Sequence, residues 1–154
     1  MNLTQYDFYE YTFTLMKPRY KWFNIWFRWI LEFNDKNITI KNYLEMPFFD
    51  KCDAIKIHWK IFNDNNLVYY DNRTLKERFP YAQNYHNNFH KSIIRGKDYN
   101  GIIFNDGPSV HQPNDIVVPN QCDAEGNIEK LRRGILGIPK FKYCYIRHHS
   151  YKTA

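Results

Sequence analysis

Ala54-Ile55-Lys56-Ile57-His58-Trp59-Lys60-Ile61-Phe62 alternates apolar and polar side chains at period two. That period sends successive side chains to opposite faces of an extended chain, so the stretch predicts a strand with Ile55, Ile57 and Trp59 on one face of a sheet. Isoleucine and tryptophan also suit a pleated, half-buried surface. The run stops at Asn63-Asp64-Asn65-Asn66, a turn composition that can supply a hairpin with Leu67-Val68-Tyr69-Tyr70 as its second arm.

Working outward, Lys91-Ser92-Ile93-Ile94-Arg95 and Gly101-Ile102-Ile103-Phe104 read as short strands separated by a turn at Gly96-Lys97-Asp98. Residues 141–146 read as a strand leading to Arg147-His148-His149. Leu3, Tyr6, Tyr9 and Phe13 recur at helical spacing, which predicts a helix over 2–16 that ends near Pro18. Residues 40–49 predict a short helix that Pro47 interrupts or ends, and 128–136 a further helical segment. Residues 22–33 carry too little polarity for a surface helix and read as a buried strand or an irregular core segment. The polar, proline-bearing stretch 105–125 predicts a long loop, a length that in a compact domain is often functional. Together these elements predict one mixed α/β domain, for which 154 residues suffice.

Composition narrows the partners. Aromatic residues make up 19% of the chain; such rings fill cores, and they also line carbohydrate sites, where the apolar face of a sugar stacks on an aromatic face. A net charge of +6 favours anionic partners: nucleotide diphosphates, acidic glycans, anionic lipid surfaces or nucleic acid. No run of five Lys or Arg residues occurs, and the rings fall on apolar periodic positions more than beside basic clusters, which disfavours nucleic acid. Cys52, Cys122 and Cys144 are odd in number, far apart and without a C-x-x-C spacing. They indicate neither a disulfide framework nor a zinc site, and fit a reducing cytoplasm. The apolar stretch from 22 to 31 is broken by Asn24 and Arg28 and is about half the ~20 residues a membrane helix needs, so no membrane span is expected.

Several landmarks recur in a characteristic order: Tyr20-Lys21-Trp22 ahead of a hydrophobic segment, Trp59 in the alternating strand, Arg78-Phe79, Lys91-Ser92-Ile93-Ile94-Arg95, His111 in the long loop, and Arg147-His148-His149-Ser150-Tyr151-Lys152-Thr153 at the end. In that order and spacing the chain resembles bacterial glycosyltransferases of the family 2 and family 92 type, which have the GT-A fold. The resemblance implies a partial GT-A domain, its central and acceptor half. It also implies transfer of a sugar from a nucleotide-sugar donor to a glycan acceptor in polysaccharide biosynthesis, with Mn or Mg neutralising the departing diphosphate. The family's paired aspartates of the D-x-D type belong where this chain reads Trp22 to Phe33, and they are absent; Glu32 and Asp35 are the nearest carboxylates. Fewer than the usual residues precede the Lys-Trp landmark, so a truncated chain with little activity and a tendency to self-associate is expected.

The resemblance gives several residues candidate roles, each beside a structural alternative. His148 is the candidate metal ligand, or a polar residue at a strand end; His149 points the other way on a strand. Trp59 offers a stacking face to a sugar, with Asn63 and Asp64 as hydrogen-bonding companions, or is buried as core. Arg78 and Arg95 pair with donor phosphates or with core carboxylates. His111 contacts a sugar hydroxyl or lies on a surface loop. Asp123 and Glu125 supply a general base for the acceptor hydroxyl, or serve as turn formers.

Overall fold

The alternating stretch forms the longest strand of the computed structural model, which describes residues 21–23, 30–63, 72–83, 89–104, 112–128 and 139–149. In chain order the described elements are β1 (Trp22–Phe23), β2 (Ile30–Phe33), α1 (Ile40–Leu44), a 3-10 turn (Pro47–Phe49), β3 (Ala54–Asn63), α2 (Leu75–Arg78), β4 (Tyr81–Ala82), β5 (His90–Arg95), β6 (Gln121–Asp123) and β7 (Cys144–His149). Among the described residues they make a mixed α/β arrangement around one seven-stranded sheet of order β1-β5-β3-β7-β2, with β4 and β6 also paired to β3.

Strand β3 is the hub. β5 runs antiparallel to its first half, with Lys56 opposite Ser92 and His58 opposite His90. β6 runs parallel to the same half, with Lys56 opposite Asp123. β7 runs parallel to the second half, with Trp59 opposite Ile146 and Ile61 opposite His148. β2 closes the edge antiparallel to β7.

The period-two pattern sorts side chains as expected, with Ile55 and Ile57 fully buried in an apolar core and Trp59 packed against it. Tyr43, Phe49, Cys52, Ile93, Cys122, Cys144 and Ile146 complete that core. α1 delivers Tyr43 to it: Thr39 caps the helix by accepting from the Asn42 backbone N–H, and the Asn42 side chain accepts from the Thr39 N–H in return. The Tyr43 hydroxyl then donates to the Ala124 carbonyl at 2.7 Å, tying α1 to the turn after β6. Pro47 opens the 3-10 turn, so the helical segment over 40–49 is split at the proline as predicted. A second apolar cluster of Ala54, Ile94, Ile103, Phe104 and Val118 lies on the opposite face of the sheet at the start of β3.

Four expectations need correction. Gly101-Ile102-Ile103-Phe104 is not a strand; its one ladder contact is a bridge from Phe104 to Pro113, and Ile103 and Phe104 are held instead by burial in the second cluster. The predicted loop over 105–125 contains β6, whose parallel partner lies far away in sequence and leaves no local signature. The last strand starts at Cys144, not 141, and includes Arg147-His148-His149. Cys52 and Cys122 are bonded to one another, because parallel pairing of β6 with β3 brings Cys122 beside the entry to β3; Cys144 is free and buried. Disulfides persist in oxidising surroundings, so the cysteines no longer support a reducing compartment. The helix over 2–16, the hairpin arm at 67–70 and all of the helix over 128–136 but Ile128 lie outside the described residues. No helix among the described residues is long and apolar enough to cross a membrane.

Candidate functional site

Parallel strands β3 and β7 end at the same end of the sheet, and in open α/β sheets that is where ligands gather. On the face of the apolar core, this end carries an aromatic group. The His148 imidazole stacks on the Trp59 indole with ring centroids 4.4 Å apart and planes within 14°. Phe89 lies 5.1 Å from the same indole, and the Lys91 ammonium sits 5.7 Å from its centroid. Trp59, Phe89 and His148 are half-buried, whereas Lys91 is buried. Burial first, then the neighbouring His149 and Lys91, holds the His148 pKa below its usual value, which favours the neutral ring. His149 points to the other face, as strand alternation requires, and its Nε2 accepts from Arg147 Nε at 3.1 Å.

That other face is polar and buried. At the β2–β7 edge, one Glu32 oxygen accepts from the Tyr145 hydroxyl at 2.6 Å and from Arg147 Nη1 at 3.2 Å, while the other pairs with Lys76 Nζ at 2.9 Å. Arg147 Nη2 donates to the Phe79 carbonyl at 2.6 Å, and its guanidinium lies 3.6 Å from the centroid of the Phe62 ring. Burial alone raises the Glu32 pKa, but hydrogen bonds from Tyr145 and Lys76 and the charge of Arg147 outweigh it and bring the pKa down to about 2.

The remaining candidates spread along β3. Asn63 closes β3 opposite Tyr81, and Arg78 ends α2 with its guanidinium 5.6 Å from the Phe79 ring centroid. Arg95 lies toward the opposite end. It donates to the carbonyls of Cys52 at 2.9 Å and Phe49 at 2.7 Å, and lies 4.3 Å from the Trp22 ring centroid, so it clamps the entry to β3. Asp123 is fully buried, and its Oδ1 accepts from the backbone N–H groups of Glu125 at 2.8 Å and Asn127 at 3.0 Å, the bonding of a turn former. Glu125 is half-buried in that turn. Since Asp123 pairs with Lys56, the rise of a strand puts it about 23 Å along β3 from Asn63. The structure therefore brings Trp59 and His148 together, keeps Asn63 and Arg78 toward the same end, and leaves Arg95, Asp123 and Glu125 at the other. Asp64 and His111 lie outside the described residues.

A hard divalent cation needs several oxygen ligands at one point. His148 has no such set: Glu32 projects from the opposite face and is already paired with two cations, and Asp35 accepts from Asn37 in an exposed turn. Among the described residues, no group of three or more His, Cys, Asp and Glu side chains could hold a metal ion. These residues do not fit Mn or Mg.

Sequence reasoning missed the buried polar face. Lys56, His58 and His90 are each fully buried, and Ser92 nearly so. Alternation at 56, 58 and 60 marked one polar face; nothing local showed that the face would be covered. Comparison with protein-family models, with curated proteins and with solved structures gives no match.

Proposed function

We propose that the chain is the central and acceptor half of a GT-A-type glycosyltransferase domain, with a glycan site where β3 and β7 end, and that alone it binds sugar more readily than it transfers it. The supporting observation is the contact of Trp59 with His148: two residues given sugar and cation roles by the family resemblance, distant in sequence, meet at the carboxyl ends of two parallel strands. Trp59 and Phe89 would supply apolar surface to a sugar ring, and the neutral His148 would exchange hydrogen bonds with its hydroxyls. Low turnover follows from the absence of paired aspartates between Trp22 and Phe33, where the resemblance places the cation ligands. Without a positive charge on the leaving diphosphate, loss of one electrostatic stabiliser costs ~3–4 kcal/mol, or about two to three orders of magnitude in rate.

The test is calorimetric titration of the purified chain with a panel of oligosaccharides and nucleotide sugars, with and without manganese, alongside donor hydrolysis. Oligosaccharide binding weakened by Trp59→Ala and His148→Ala, with hydrolysis near background, is the expected result. Absence of binding to any glycan or nucleotide sugar would end this reading.

A further inference from the structure

Tyr99 and Ile103 fix the two ends of an exposed bend. The Tyr99 hydroxyl lies 3.2 Å from the carbonyl oxygens of Asp53 and of Arg95, and Ile103 is buried in the second apolar cluster, its own carbonyl accepting from the Asn114 N–H at 2.8 Å. Between them the chain turns through Gly101, whose φ of +123 disfavours any side chain and where a Cβ would come 3.0 Å from Val117 Cγ2. The residue before this glycine is Asn100, itself exposed, and the two are the only Asn-Gly pair in the sequence. We propose that Asn100-Gly101 is a site of spontaneous deamidation, and that its isoaspartate product loosens residues 112–118 from the second cluster.

The backbone nitrogen of Gly101 attacks the side-chain carbonyl carbon of Asn100. A five-membered succinimide closes as that N–C bond forms, the bond from Cγ to Nδ2 breaks, and ammonia leaves with the proton from the Gly101 nitrogen. Water then opens the ring at either carbonyl and leaves aspartate or isoaspartate. The turn itself creates the exposure: its backbone demands glycine, and without a side chain at 101 nothing shields the attacking nitrogen. Other asparagines are held. The Asn34 amide donates to the carbonyls of Phe141 and Lys142, that of Asn120 to Asp53, and that of Asn127 to both oxygens of Asp123. Asn37 donates to Asp35 and is followed by the β-branched Ile38. Isoaspartate routes the main chain through the former side chain and so lengthens it by one methylene. With Tyr99 and Ile103 both anchored, Gly101 and Ile102 must absorb the extra length, and the contact of Gly101 with Val117 and the bond from Asn114 to Ile103 are the first to give way.

The sugar reading has no part in this chemistry. The test is ageing of the full chain at pH 8 and at pH 5, followed by peptide mapping by mass spectrometry, with isoaspartate detected by a protein isoaspartyl methyltransferase and labelled S-adenosylmethionine. The peptide holding Asn100 should gain about 1 Da, and do so faster at pH 8, where the attacking nitrogen more readily loses its proton. It should change about tenfold or more faster than the peptides holding Asn34 and Asn120, whose amides must first give up their hydrogen bonds. Aged wild type should show faster hydrogen exchange over 112–118, whereas aged Asn100→Gln should show neither methyl acceptance at this peptide nor faster exchange. Fresh Asn100→Asp carries the new charge on an ordinary backbone and should exchange like the fresh wild type. An unmodified Asn100, equal rates at Asn34 and Asn120, or a mass gain seen only in urea would overturn the site. Modification with unchanged exchange over 112–118, or fast exchange already present in fresh Asn100→Asp, would overturn its coupling to the second cluster through the backbone.

Discussion

Glu32 and His58 occupy the same face of the sheet and make the fold sensitive to acid over two successive ranges. Burial, more than the charges of Lys56 and Lys140, pulls the His58 pKa down to about 4, and Asp123 only partly offsets it. The unfolded chain takes up this proton near pH 6.5 and the folded chain near pH 4, so the unfolded state binds more protons between them. Stability should therefore fall by about 3 kcal/mol as the pH drops from 6.5 to 4, and His58→Gln should flatten that limb in urea unfolding followed by tryptophan fluorescence. Glu32 works in the other sense of charge. Its folded pKa of about 2 lies below the ordinary carboxylate value of 4.5, so its contribution is complete above pH 4.5 and is lost as the pH falls through 2. Glu32→Gln should cost about 2–3 kcal/mol at pH 7, because Arg147 stays buried without its counter-charge, and the gap to the wild type should close toward pH 2.

At the scale of elements, the turn after β6 is the most constrained connection. Gly126 has φ +83, and a Cβ there would clash with the ring of Phe48, which packs against the apolar core. Gly126→Ala should cost about 1–3 kcal/mol, read as a lowered urea midpoint, through the left-handed backbone and the displaced Phe48 together. Thr39→Ala removes the cap of α1 and should cost about 1 kcal/mol on the same assay. β3, β5 and the break at Pro47 were legible in the sequence because their signals are local: period two, β-branched runs, a proline. β6 was not, since three residues among turn formers become a strand only through a distant parallel partner. Gly101 to Phe104 misled because Ile103 and Phe104 are apolar for packing on Ala54 and Ile94, a demand that needs no strand. The Trp59–His148 contact was reachable only as two separate residues, since pairing of β3 with β7 is a tertiary fact.

For the molecule as a whole, the strongest single constraint is the bond between Cys52 and Cys122, 70 residues apart. A loop of that length, by chain entropy, is worth about 4 kcal/mol. The Cys52→Ser, Cys122→Ser double variant should lose about that much in urea unfolding, and reductant should destabilise the wild type but leave the variant unchanged. The parallel pairings of β3 carry a consequence for synthesis. Once β3 leaves the ribosome, Ile55 and Ile57 have no sheet partners until β5 follows, and the partners on the opposite edge, β6 and β7, come far later in translation. At about 5–20 residues per second, the wait for β7 lasts on the order of 5–20 s, during which an unpaired apolar strand edge is open to other nascent chains. The yield of a chain wired this way should therefore rise when translation is fast across 64–149 and fall when rare codons slow it there, which expression of synonymous genes would measure.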